Sequence, residues 1–272
     1  MHETSSTATT AAGAGVQPEP VLSLRGVSFA YESASPLIQG MTADLQPGRI
    51  CVMLGPNAAG KSTLIRLMMG QLRPQAGQVL LAGQDIYRLK AVQRAQQMSY
   101  VPQRSETSFG FTVRQVVEMG RFALSPSPQA VELAIQACDL VNLEQRIYSQ
   151  LSVGQQQRVL LARAMAQSHG DGRVMLLDEP GSAMDLRHTH EMMHTLTRLA
   201  AGGLAVLVVV HDLNVAARYA DDIWLLHQGR LVAAGPWHEI LEPERLSAVY
   251  EVKLRRLSLD QQSRPVFAAD VP

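Results

Sequence analysis

The chain is poor in cysteine, in net charge and in long apolar runs. Cys51 and Cys138 are its only thiols in 272 residues. Two isolated cysteines in apolar stretches argue against a disulfide scaffold or a cysteine-built zinc site and suit a reducing cytosol. Lys+Arg and Asp+Glu both number 24, so no net field draws the chain to nucleic acid or anionic lipid. The longest apolar run, LAVLVVV at Leu204–Val210, is far shorter than the roughly 20 residues needed to cross a bilayer. The expectation is a chain that meets a membrane only through a partner. Residues 1–20 have neither a basic start nor an apolar stretch, so they do not read as a secretory signal. Their Ser, Thr, Ala, Gly and Pro content predicts a disordered tail. Residues 259–272 read as a second, polar and loose tail.

Between the tails, strand and helix patterns alternate. VLSLRGVSFAY (Val21–Tyr31) and Ile38–Leu45 are strand-like. ICVML (Ile50–Leu54) is a short buried strand, and STLIRLMMG a helix with Gly70 as its cap. QVLLAGQDI predicts a strand and turn, and Met98–Val101 a short strand ending at Pro102. TVRQVVEMGRFAL and PQAVELAIQACDL have helical spacing, so residues 104–150 read as a mostly helical insert. RVMLLDEP and LAVLVVV are buried strands, separated by a helix over Asp185–Ala200. HDLNVAARYA is helical, and IWLLHQGRLVAAG is a hairpin with a Gln-Gly turn. This order predicts an α/β fold with a largely parallel sheet covered by helices on both faces.

GPNAAGKST, Gly55–Thr63, joins a predicted strand to a predicted helix and matches G-x-x-x-x-G-K-[ST]. Gly55, Pro56, Asn57, Ala58, Ala59 and Gly60 supply backbone that can wrap a β-phosphate. Lys61 can reach the β- and γ-phosphates, the Ser62 hydroxyl can ligate Mg²⁺, and Thr63 can reach the α-phosphate. VMLLDEP ends a buried strand in two acids. Asp178 sits at the carboxyl end of the strand, where it can hold the Mg²⁺ shell. Glu179, one residue on, points differently and suits a general base for an attacking water. His211 follows LAVLVVV and reaches the same sheet edge. Gln103 follows MSYV and Pro102; by itself it carries little signal.

LSVGQQQR (Leu151–Arg158) places a serine and a glycine ahead of a helical segment. Serine alone would be an N-cap. The order of phosphate loop, Gln103, LSVGQQQR, LLDEP, SAMD and His211, however, resembles the ATPase subunits of ABC transporters over roughly Val21–Leu257. That resemblance implies a P-loop NTPase core, an N-terminal antiparallel β subdomain and a helical subdomain at about 104–165, within an ATPase domain over 21–258. It implies that Tyr31 stacks on adenine and that Gln103 touches Mg²⁺ and the attacking water. It implies that Asp185 lines a subunit interface and that His211 binds the γ-phosphate. Ser152 and the Gly154 N–H, with Gln155 beside them, then cap the ATP held by a second copy of the chain. The implied partners are that second copy, membrane permease subunits on the cytoplasmic face of a bacterial inner membrane and, indirectly, a substrate-binding protein; the implied ligands are ATP and Mg²⁺.

Two residues depart from the family pattern. Val153 stands where glycine is usual, which costs little if its side chain turns away from the phosphate. Ala58 stands where glycine is common in the phosphate loop, and a positive φ there would strain it. HEMMH (His190–His194) matches H-E-x-x-H, but no third ligand is evident in the sequence and the segment reads as a sheet-flanking helix. FTVRQVVEMGR, HDLNVAARYADDIWLLHQGRLVAAG and LSAVYEVKL resemble importer ATPases serving iron complexes, haem and vitamin B12. The expected cargo is a ferric siderophore first, haem second and cobalamin third. Rival readings are an ATPase acting on nucleic acid, a soluble iron–sulfur assembly ATPase and the ATPase of a multi-subunit exporter.

Overall fold

The computed structural model describes residues 18–31, 36–103, 110–257 and 264–270. Most of the expected N-terminal tail, the start of the helical insert and part of the C-terminal tail lie outside them. Two sheets organise the rest. Strands β1 (Leu22–Phe29), β2 (Ile38–Leu45), β4 (Ala76–Leu81) and β5 (Gln84–Asp85) form an antiparallel sheet in the order β2-β1-β4-β5. Strands β3 (Ile50–Leu54), β6 (Met98–Val101), β7 (Val174–Leu177), β8 (Ala205–Val209), β9 (Asp222–His227) and β10 (Arg230–Pro236) form the second, ordered β10-β9-β3-β8-β7-β6. All its neighbours pair parallel except β9 and β10, the expected hairpin.

The continuous apolar runs follow from burial on both faces of this sheet. Ile50, Val52 and Leu54 face one core together with Met175, Leu177, Val206 and Val208. Cys51, Met53, Val174, Leu176, Ala205 and Leu207 face the other, shared with the antiparallel sheet. Among the helices, α1 (Lys61–Met68) packs on the second core. Helix α2 (Ala91–Gln97) has no buried residue and leads into β6.

The stretch between β6 and β7 is helical. Helix α3 (Val113–Glu118) begins at Thr112, whose side chain accepts from the Gln115 N–H while the Gln115 side chain caps the Thr112 N–H. Helix α4 (Pro128–Ala137) starts behind Ser127 with proline at its first position. Helix α5 (Val153–Ser168) runs from this helical region back to β6. The one long helix expected over TVRQVVEMGRFAL instead tightens into a 3₁₀ turn at Met119–Arg121. There Gly120 lies against α5 so closely that a Cβ would stand 2.2 Å from the Arg163 carbonyl oxygen.

Helices α6 (Leu186–Ala201) and α7 (Leu213–Tyr219) flank β8. Helices α8 (Trp237–Ile240) and α9 (Pro243–Tyr250) follow β10. The expectation of a loose tail from Leu259 does not hold for its described part. Strand β12 (Val266–Ala269) pairs antiparallel with β11 (Leu254–Leu257), and Phe267 is buried in the core. The Phe267 N–H donates to Asn214 Oδ1 at 2.7 Å, and Arg264 donates to the Ala217 and Ala220 carbonyls at the end of α7. Buried Pro265 and Phe267 and these polar contacts anchor the segment. No helix among the described residues is long and apolar enough to cross a membrane.

Candidate nucleotide site

Four parallel strands deliver the chemistry-bearing residues to one edge of the sheet, outside their carboxyl ends. The phosphate loop follows β3, Gln103 follows β6, Asp178 and Glu179 follow β7, and His211 follows β8. Register aligns them: Val101 pairs with Leu177, and Leu177 with Val208. Gln103 and Glu179 therefore sit two residues beyond paired positions, and His211 three.

The loop itself is bent tightly. Gly55 has φ +148°, and a Cβ there would stand 2.2 Å from the Leu226 carbonyl oxygen. No larger residue can begin this turn. Ala58 adopts φ 62°, the strained conformation anticipated from the sequence, with its methyl exposed. Gly60 caps α1 without a side-chain hydrogen bond, so no cap side chain competes for the first N–H groups of the helix. Lys61 is 6% exposed, and its Nζ donates to the Gly55 and Pro56 carbonyls at 2.7 and 2.9 Å. Burial lowers the pKa of its ammonium, with the Glu179 and Asp178 carboxylates opposing that shift. Tyr31 is 42% exposed, so it is not a core aromatic. Its hydroxyl lies 3.5 Å from the Thr63 Oγ1, and its ring stands edge-on to Phe29.

Asp178 is buried, and its Oδ1 has no hydrogen-bond partner. Burial pushes its carboxyl pKa up, and a hydrogen bond from Ser62 pulls it down. A hydroxyl on a buried carboxylate that keeps one oxygen unused, beside an anion-binding loop, suits a hard divalent cation with oxygen ligands. Glu179 has φ 49° and uses both carboxylate oxygens. Its Oε2 accepts from Gln103 Nε2 at 2.6 Å, and its Oε1 lies 2.6 Å from His211 Nε2. The Gln103 carbonyl in turn accepts from Gln157 of α5. Beside Glu179 and His211 opens a cavity of about 310 Å³ that also reaches Met184, Leu186 and Met192.

Ser152, Gly154, Gln155 and Asp185 stand apart from this cluster. Among the described residues no hydrogen bond or ion pair joins them to the phosphate loop. Ser152 caps α5 by accepting from the Gln155 N–H, and the Gln155 side chain caps the Ser152 N–H in return. The N-cap reading is thus correct as geometry. Val153, in the first turn of α5, is 60% exposed. Asp185 caps α6 by accepting from the His188 N–H at 2.9 Å, which holds its carboxyl below the usual range.

One residue at the loop was not read from the sequence. Tyr250, the last residue of α9, accepts the Gly55 N–H through its hydroxyl at 3.0 Å. Burial pushes its phenol up to about 12. Only its place in LSAVYEVKL hinted at it, and a contact spanning 195 positions of sequence leaves no local pattern.

The model of the family described as ABC transporter matches residues 38–182. The Hemin import ATP-binding protein HmuV of Pseudomonas entomophila is 42% identical over 225 residues, 80% of this chain and 88% of that protein. The protein of the same name from Pseudomonas aeruginosa is 40% identical and covers 86% and 94% of the two chains. A chain of a metal-chelate type ABC transporter in an inward-facing conformation superposes with TM-score 0.77 at 28% identity, over 92% of this chain and 97% of that one. The nucleotide loop, the acids after β7 and these likenesses together make the chain a member of the ABC transporter family, an ATP-binding and ATP-hydrolysing subunit of an importer.

Proposed function

We propose that this subunit works as a pair, closing on two ATP molecules and driving uptake of haem. The convergence of Gln103, Glu179 and His211 on the sheet edge that carries the phosphate loop supports the catalytic half of this reading. Lys61 and the loop amides hold the β- and γ-phosphates, and Tyr31 stacks on adenine from its exposed position. Ser62 and Asp178, with Gln103, would hold Mg²⁺, which neutralises phosphate charge and orients the γ-phosphoryl group. Glu179 accepts the proton of the attacking water, Gln103 positions that water, and His211 donates to the γ-phosphate. The Ser152 hydroxyl and the Gly154 N–H of one copy complete the pocket of the other, with Gln155 fixing the cap and Asp185 at the joint between copies. Val153 is turned to solvent and leaves the backbone of that loop accessible.

Closure of the pair carries the helical region with it and moves the permease subunits. The Gln103–Gln157 contact gives a physical link between the water-positioning residue and α5. The names of the relatives favour haem over the ferric siderophore that the sequence alone ranks first. The peripheral position at the inner membrane and the association with a substrate-binding protein belong to the same proposal.

The test of the chemistry is Glu179→Gln. It should keep ATP binding, lose hydrolysis and accumulate as an ATP-loaded dimer on size-exclusion chromatography. Wild-type turnover by that variant would remove Glu179 from its role. The test of the cargo is uptake by liposomes holding the complete transporter, offered haem or a ferric siderophore with ATP inside; uptake of the siderophore alone would reverse the assignment.

A further inference from the structure

We propose that His190, His194 and Tyr219 form a binding site for one divalent transition-metal ion of the imidazole-preferring class, such as zinc. The two histidines lie one turn apart on α6 and therefore on one face. Among the described residues no group of three His, Cys, Asp or Glu side chains converges as metal ligands. The third donor is of another type and comes from another helix. Tyr219 ends α7, is buried, and directs its hydroxyl between the two imidazoles. That oxygen is 2.7 Å from His190 Nδ1 and 3.3 Å from His194 Nε2.

These separations are close to those that coordination needs. With metal–ligand distances of about 2.0–2.2 Å in a tetrahedral site, neighbouring donors stand roughly 3.3–3.5 Å apart. The His194 contact already has that spacing, and the His190 contact must lengthen by about 0.7 Å. Two imidazoles and a phenol oxygen suit zinc, copper or nickel and not the oxygen-seeking Mg²⁺ or Ca²⁺. His194 also lines an open concavity of about 380 Å³ with Arg218, Asp221 and Arg264, which gives an ion access from solvent and leaves room for water as a fourth ligand. On binding, the aquated ion gives up metal–water bonds as two metal–nitrogen bonds and one metal–oxygen bond form, and the Tyr219 phenol proton passes to bulk water. Glu191, the acid within H-E-x-x-H, is paired with Arg187 at 2.8 Å on the exposed side, so this site is a tether and not a peptidase centre. The ion would join α6, which starts behind Asp185, to α7, which starts two residues beyond His211.

The test is titration of the chelator-treated, nucleotide-free chain with Co²⁺, followed by visible absorption, and then competition by Zn²⁺. One equivalent should bind with the spectrum of a four-coordinate site, and Zn²⁺ should raise the melting temperature. His190→Ala/His194→Ala should abolish both signals, and Tyr219→Phe should weaken binding about tenfold or more. Because Tyr219 is buried and its substitution could disturb folding, His194→Ala, at an exposed side chain, is the companion variant and should lose the Zn²⁺-induced shift while keeping the metal-free melting temperature. Absence of saturable 1:1 binding, or binding unaltered by the double substitution, overturns the site. Wild-type affinity in a folded Tyr219→Phe overturns the three-ligand assignment and leaves only a hydrogen-bonded cluster.

Discussion

Ala58→Gly should make the protein more stable, although it removes a methyl group. Ala58 is held at φ 62° in the phosphate loop, and its side chain is exposed. Left-handed backbone costs an L-residue roughly 1–2 kcal/mol, because Cβ crowds the following carbonyl oxygen. Glycine escapes that cost but adds about 0.4–1 kcal/mol of unfolded-chain entropy. No packing is lost, since the methyl faces solvent. The difference is a gain on the order of 0.5–1 kcal/mol, or roughly 1–3 °C for a domain of this size. Ala82 provides an internal comparison. It has φ 47°, is also exposed, and lies in the turn between β4 and β5, away from the nucleotide residues. Ala82→Gly should therefore give a gain of similar size. Urea unfolding of the three proteins, compared by midpoint at constant slope, reads the effect directly. If Ala58→Gly lowers the midpoint while Ala82→Gly raises it, the strain argument fails for the loop, and the methyl must have a role that its exposure conceals.

Lys61→Ala should abolish ATP affinity measured by fluorescent-nucleotide titration, because among the described residues no other cation is buried against the loop; unchanged affinity would refute the nucleotide assignment. Asp178→Asn should melt higher than wild type at neutral pH yet fail to hydrolyse ATP. The sign follows from burial: the folded carboxyl titrates above its unfolded value, so stability falls as pH rises from the unfolded toward the folded pKa, and ionised Asp178 costs stability above both. Melting curves of the two proteins should accordingly converge below the unfolded carboxyl pKa. Tyr250→Phe leaves the buried Gly55 N–H without its acceptor and should cost about 1 kcal/mol in urea unfolding, together with a higher KM for ATP. Arg49→Ala breaks a two-bond contact with Asp222, at 2.6 and 2.8 Å, and should cost about 1 kcal/mol, less at high salt.

What could be read in advance was what local sequence records. Ile50–Leu54 is apolar throughout because both faces of β3 are covered, and its bounds and those of Ile38–Leu45 match the strands observed. The phosphate loop and the acids after β7 were legible because backbone wrapping and strand-end geometry depend on consecutive residues. Helix α2 leaves no sequence signal: AVQRAQQ buries nothing, so it has no apolar stripe. Strand β12 reads as tail in the sequence because a buried phenylalanine, a backbone pairing and contacts to α7 hold it, and none of these is a periodic signal. Tyr219 is invisible in the sequence as the neighbour of His190 and His194 for the same reason: the motif supplies two residues on α6, and the third arrives from another helix.

Each oxygen of Glu179 holds a partner, Gln103 on Oε2 and His211 on Oε1. Each contact takes one of the roughly four lone-pair sites of the carboxylate and draws on its electron density, so under the proposed chemistry these two neighbours tune the strength of the base. The remaining sites are open to the attacking water. A γ-phosphate beside His211 would compete with Glu179 for its imidazole and so raise the basicity of the carboxylate. The nucleotide would thereby sharpen the very group that directs water against it.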